Sequence, residues 1–184
     1  YNMADSIIVG QFVGSSALAA VGACAALTNV FICVALGAGV GAGVLVSRYF
    51  GAKEYDKMKT IVSTSLISFL LLSICLGIIG FCFSRRMLRV LQTPDDILDT
   101  AVLYLRVYFV GFPFLFMYNI LSSMFTSIGE SKIPLGLLIF SSAFNIGLDY
   151  RMVAGLGLGV FGAALATLIA QGISAVLSLL IFLK

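Results

Sequence analysis

Charge-free apolar stretches alternate along this chain with short polar breaks, and the lengths of those stretches decide what they can be. Between Asp5 and Arg48 lie 42 residues without a charge, and Met152 to Leu183 is a further run of 32. An α-helix rises about 1.5 Å per residue, so about 20 apolar residues cross the roughly 30 Å hydrocarbon layer of a bilayer. The pattern predicts a helical tail over 1–12, a turn at Gly14-Ser15-Ser16 and a long helix over 17–47. A basic loop, 48–59, leads to a third span over 60–84. A mixed-charge segment, 85–106, precedes a fourth span over about 107–128, with 100–106 available to extend its polar end. Loop 129–132 and Pro134 open a fifth span reaching about residue 154, and a glycine cluster at 155–159 leads into a sixth that ends near Lys184. The expectation is an all-α membrane protein with about six transmembrane helices. The first of them is expected to be truncated, because the chain opens in what reads as the end of a helix.

Composition makes a water-soluble domain untenable. The chain is 61% hydrophobic and 10% charged, with mean hydropathy +1.13. Soluble domains carry about 25% charged residues. A net charge of +3 spread over the loops gives no basic patch for nucleic acid. Arg48, Lys53, Lys57, Lys59, Lys132 and Lys184 fall on one side of the predicted topology, which the positive-inside bias makes cytoplasmic. Arg85, Arg86, Arg89 and Arg151 oppose them, so the bias is slight. Cys24, Cys33, Cys75 and Cys82 lie within apolar runs without CxxC spacing and read as small hydrophobes.

Against that background Asp5 and Asp149 stand out. An ionisable side chain in a membrane span is costly, about 3 kcal/mol on insertion scales, and commonly marks an ion or substrate path. Polar residues also recur four apart inside the spans, at Tyr1 and Asp5, Asn145 and Asp149, and Thr167 and Gln171. Residues at i and i+4 share a helix face, so three helices could converge on one pocket. Carboxylate, amide and hydroxyl oxygens suit a hard cation such as Na⁺. The same desolvated carboxylates could instead carry a proton. The plainer reading keeps Asp149 near the end of its helix, wetted by the interface or beside Arg151.

Two motifs carry less than their spelling suggests. Gly157, Gly159 and Gly162 match GxGxxG, but their flanks are apolar helix and no acidic residue follows for a ribose. Asp95, Asp96 and Asp99 match DDxxD, yet Thr93 as a cap, Pro94 in the first turn and two acids at the positive end of the helix dipole explain them locally. The glycines at 37, 39, 41 and 43 give two overlapping GxxxG spacings, and residues 159, 162, 163, 166 and 170 make a second small-residue stripe. Such stripes let helices approach closely in lipid.

Several segments together resemble multidrug and toxic compound extrusion (MATE) transporters. Tyr1-Asn2-Met3-Ala4-Asp5-Ser6-Ile7-Ile8-Val9-Gly10 is similar to the end of their first helix, and Val46-Ser47-Arg48-Tyr49-Phe50-Gly51-Ala52-Lys53 to the junction of the second and third. Gly111-Phe112-Pro113-Phe114, Tyr118-Asn119 and Gly129-Glu130-Ser131-Lys132-Ile133-Pro134 resemble their fourth helix and the loop after it. Asn145-Ile146-Gly147-Leu148-Asp149 and Gly162-Ala163-Ala164-Leu165-Ala166-Thr167 resemble the fifth and sixth.

The resemblance implies one lobe, the amino-terminal six-helix lobe over 1–184, of a twelve-helix transporter whose second lobe is missing here. It implies cation-coupled (Na⁺ or H⁺) efflux of organic, often cationic, compounds by alternating access, in a bacterial plasma membrane. No enzymatic activity and no cofactor beyond the coupling ion are implied. Asp5, Asn145, Asp149 and Thr167 match the cation or proton site, where Na⁺ would be the only metal. Tyr1, Tyr104 and Gln171 match residues lining it. The partners implied are the lipid bilayer, small organic substrates and the second lobe. Tyr150 and Arg151 depart from the apolar residues that usually follow the aspartate, and the guanidinium should favour an ionised Asp149. A lipid-linked saccharide flippase of the same superfamily, a non-transporting membrane scaffold, and a magnesium-dependent enzyme using Asp95, Asp96 and Asp99 remain alternatives.

Overall fold

The structure is a computed structural model, and it describes residues 2–183. Among these, helices account for nearly every residue and no strand forms. They are α1 (Asn2–Phe12), α2 (Ser15–Gly51), α3 (Tyr55–Val90), α4 (Asp95–Val110), α5 (Phe112–Ser127), α6 (Lys132–Asp149) and α7 (Gly159–Phe182), with a π-helical turn, Tyr150–Gly155, following α6. α2, α3, the continuous run Lys132–Gly155 and α7 are each long and apolar enough to cross a membrane, and α4 with α5 makes a fifth, bent span. Lys184 and Tyr1 lie outside the described residues.

Helix ends depart from the expected boundaries where charge was taken for loop. α2 and α3, 37 and 36 residues long, run through Arg48 at one end and through Lys57 to Arg89 at the other. At about 1.5 Å per residue each is roughly 55 Å long, so both project beyond the hydrocarbon and carry their charges into the headgroups. α2, α3 and α5 all close the same way. The amides of Glu54, Thr93 and Glu130 reach back to the carbonyls of Tyr49, Leu88 and Phe125, and the preceding residue, Lys53, Gln92 or Gly129, takes a positive φ. This double closure satisfies carbonyls a helix end would otherwise orphan.

The mixed-charge segment 85–106 supplies the end of α3 and most of α4, which starts at Asp95 as the acids at 95 and 96 indicate and buries Ile97, Leu98, Ala101, Val102, Tyr104 and Leu105. Asp95, Asp96, Asp99 and Arg106 fall on the exposed side, so the segment is an amphipathic helix. Pro94, rather than Thr93, stands at its N-cap. α4 meets α5 at Gly111 with a 48° bend. Pro113 has no amide to offer the Phe109 carbonyl four residues back, which interrupts the helical ladder there. Gly77 of α3 packs against that carbonyl, where an added Cβ would come within 3.0 Å.

Two apolar clusters hold the bundle. One joins α1, α2, α4 and α7 around Val9, Cys24, Leu105 and Ala163. The other joins α2, α3 and α5 around Phe112, Phe116, Ile120 and Met124. Phe31, Phe109, Phe112 and Phe116 meet edge to face with centroids 4.8–6.0 Å apart. Of the two overlapping glycine spacings, only Gly39 and Gly43 face α5, against Asn119, Ser123 and Ser127, whereas Gly37 and Gly41 face open space. All four cysteines are free; only Cys24 is buried, its thiol directed to the Ala101 carbonyl at 3.3 Å.

Candidate functional site: a buried carboxylate pair

α6 turns the usual burial rule around. Its buried residues are Leu137, Ser141, Asn145 and Asp149, one stripe at i+4 spacing in which only the first is apolar. Its leucines, isoleucines and phenylalanines at 138, 139, 140, 144 and 146 face outward, where a bilayer accepts them. Opposite it, α7 buries Ala163, Ala166 and Ala170 around Thr167 and Gln171. Those small side chains let the two backbones close until polar groups touch. α1 adds Asp5 on the face it shares with Ile8 and Val9, and α4 adds Tyr104.

The groups meet in one fully enclosed cluster, with Asp5, Asn145 and Asp149 each 0% exposed. The Tyr104 hydroxyl donates to Asp5 Oδ2 at 3.2 Å. The Thr167 hydroxyl lies 3.0 Å from Asp5 Oδ2 and 3.2 Å from Oδ1. Thr167 in turn accepts from Asn145 Nδ2 at 3.2 Å. Donors then run out. Among the described residues Asn145 Oδ1 and both carboxylate oxygens of Asp149 have no hydrogen-bond donor. The Asp149 carboxyl nevertheless neighbours that of Asp5, so acceptor faces acceptor. Two unit charges about 4 Å apart repel by about 4 kcal/mol at an effective dielectric near 20. A proton shared between them, or a cation touching both, removes that repulsion.

The donor set suits either occupant. Every free group is an oxygen, as a hard cation prefers, and Asp149, Asn145 Oδ1 and Asp5 belong to three different turns on two helices. Among the described residues no cluster of three or more His, Cys, Asp or Glu forms, so a transition-metal site has no ligands here.

Asp5, Tyr104, Asn145, Asp149 and Thr167 are thus brought together. Gln171 is not in the cluster. It sits one turn along α7, on a neighbouring cavity of about 200 Å³ that it shares with Tyr108, Asn119 and Ser174. Tyr1 lies outside the described residues. The interfacial reading of Asp149 is overturned. Asp149 is 0% exposed, and the helical run goes on to Gly155, close to the expected end near residue 154, by loosening into the π turn, where the Leu156 amide reaches Arg151, five residues back, at 3.0 Å. Arg151 points outward and makes no ion pair with Asp149 among the described residues. Asp95, Asp96 and Asp99 stay on the surface, and Asp99 pairs with Arg85 at 3.0 Å. Tyr108, whose buried hydroxyl has no partner, and Ser174 were missed. The spacing of 167, 171, 174 and 178 on α7 was the available signal, one helical stripe of polar residues.

Comparison with known proteins follows the same line. The MatE family model matches residues 1–151. "Probable multidrug resistance protein YoeA" of Bacillus subtilis is 33% identical over 180 residues, covering 96% of this chain and 39% of that protein. "Multidrug export protein MepA" of Staphylococcus aureus is 33% identical over 146 residues, 79% of this chain and 32% of its own length. The solved structure described as MATE in the bent conformation superposes with TM-score 0.92 at 29% identity, over 97% of this chain and 39% of that one. The chain therefore spans about two fifths of the length of the relatives it matches.

Proposed function

Since the chain belongs to the MatE family, we propose that it forms the amino-terminal lobe of a multidrug efflux antiporter of the plasma membrane, coupled to Na⁺ or H⁺. The observation that carries this reading is the pairing of the Asp5 and Asp149 carboxylates with few donors around them, which a proton or a cation can relieve. Loading the pair removes the repulsion and draws α1, α6 and α7 together through Asp5, Asn145, Asp149 and Thr167. Release restores the repulsion and favours a looser arrangement of α1 against α6. If loaded and empty lobes prefer opposite-facing states, ion entry and drug exit become linked by differential affinity. Thr167 has one proton to donate and directs it at Asp5, so Asn145 and Tyr104 hold the rest of the cluster in register around the carboxylate. Organic, often cationic, compounds are the cargo this reading assigns, in keeping with relatives named for multidrug resistance and export. The second lobe comes from the remainder of the polypeptide.

The test uses the full-length transporter in liposomes. Asp5→Asn should abolish efflux of an organic-cation dye driven by either gradient, while the variant stays folded and monodisperse. Wild-type efflux in that variant would overturn the proposal. Titrating dye release against Na⁺ at fixed pH, and then against pH without Na⁺, identifies the coupling ion.

A further inference from the structure

The outward face between α3 and α4 carries a charge that cation coupling does not use. Arg106 lies seven residues beyond Asp99, about 10 Å along α4. It shares an exposed face with Leu103 and Val110, both apolar. Its Nε donates to Ser84 Oγ at 3.4 Å, and its guanidinium sits 5.1 Å from the centre of the Phe81 ring. Among the described residues no carboxylate pairs with it, because the nearest acid along its helix face, Asp99, is held by Arg85 at 3.0 Å. Beside it, an open groove of about 340 Å³ runs between the helices, lined by Ile74, Ile78, Phe81, Val110 and Pro113.

A guanidinium beside the charged end of α3, with apolar side chains below it, needs an anion, and its long stem lets it reach toward the headgroups for one. Its planar fork matches a phosphate better than a point charge would. The face thus displays a phosphate-binding group and, adjoining it, an apolar channel. A molecule with a phosphate next to an acyl chain fits both in that order. We propose that Arg106 and the α3–α4 groove form a phospholipid site, with the headgroup phosphate on the guanidinium and one acyl chain lying over Phe81 and Ile78. Arg85, Arg86 and Arg89 crowd the same end of α3, which favours a net anionic headgroup over a zwitterionic one. The site lies on the outer face and is independent of the carboxylate pair.

Native mass spectrometry of the delipidated full-length transporter, titrated with phosphatidylglycerol, reads the site directly. Wild type should retain the lipid, and prefer it to phosphatidylcholine. R106Q should bind it about tenfold more weakly, as expected for losing a charged hydrogen bond. I78W should weaken it too, by filling the groove while leaving the guanidinium in place, and R106K should fall between R106Q and wild type. Both substituted side chains are exposed, so gel filtration should show each variant folded as wild type. Undiminished lipid binding in R106Q overturns the site. So does equal competition by inorganic phosphate, which would make it a free-anion site, or crosslinking that places another protein segment in the groove.

Discussion

The lobe divides into two regions that bury their interiors by opposite means. Around α2, α3 and α5 the interior is aromatic, with Phe31, Phe109, Phe112 and Phe116 meeting edge to face and glycines admitting the neighbouring backbone. Around α1, α6 and α7 the interior is small and polar, and where Asp149 meets Asp5 acceptors face one another. In a bilayer the first region gains from close packing, since lipid supplies no hydrophobic drive between helices. The second is held by hydrogen bonds that converge on Asp5 and is opposed by its own charge. On the proposed reading, one half stays fixed while the other responds to an ion.

The largest expected effect tests the aromatic half. Phe112→Ala removes a fully buried ring that touches Phe31, Phe109 and Phe116. It should destabilise the full-length transporter by about 3–5 kcal/mol, read as a lowered melting temperature in detergent. Molecules that remain folded should keep the wild-type ion dependence. A changed ion dependence in that population would break the division into halves.

Glycine spacing sharpens the same side. A Cβ on Gly43 would collide with the hydroxyls of Ser123 and Ser127, whereas one on Gly41 would meet nothing. Gly43→Ala should therefore cost about 1–3 kcal/mol by overpacking. Gly41→Ala should be neutral or stabilise by up to about 1 kcal/mol through helix propensity. Paired thermal melts check both, and equal effects would show that α2 is not held to α5 along the Gly39–Gly43 face.

The polar half should answer in the reverse direction. Asp149→Asn replaces an acceptor that faces Asp5 with a group able to donate, so it should hold or raise stability, by about 1–2 kcal/mol. Response to the coupling ion should vanish in the same protein. Stability assays with and without Na⁺, and across pH, separate the two outcomes. A destabilised variant that still responds to the ion would contradict the reading of this pair as an acceptor surplus.

How far the sequence reveals this division depends on which forces each part uses. The spans are legible because a bilayer imposes length and hydropathy on each one separately. Segment 85–106 is legible only in part: the acids at 95 and 96 mark a helix start, but the burial of Ile97, Leu98, Ala101, Val102 and Leu105 along one face depends on how α4 meets its neighbours. The i,i+4 pairs bring Asp5, Asn145, Asp149 and Thr167 into view, since helical periodicity is local. Which oxygens lack donors is invisible, because it depends on how α1, α4, α6 and α7 meet. The π turn that carries the helix past Asp149 and sends Arg151 outward also has no clear signal in the residues themselves. The resemblance of ordered motifs supplied Tyr104, which none of the three i,i+4 pairs at Tyr1 and Asp5, Asn145 and Asp149, and Thr167 and Gln171 contains.

Ser178 gives the smallest effect and the finest test of how the polar half is satisfied. It continues the stripe of Thr167, Gln171 and Ser174 down α7, and its buried hydroxyl has no partner among the described residues. An unmet buried hydroxyl is a liability of about 1 kcal/mol or more. Ser178→Ala should remove that liability and raise the melting temperature slightly, with no change in ion response. Ser174, whose hydroxyl donates to the Ala170 carbonyl at 2.8 Å, should lose a little stability in the same substitution. If Ser178→Ala is destabilising instead, the stripe below the carboxylate pair is hydrated. Water would then share in satisfying the polar half, and the contrast with the aromatic half would be one of solvent as well as of charge.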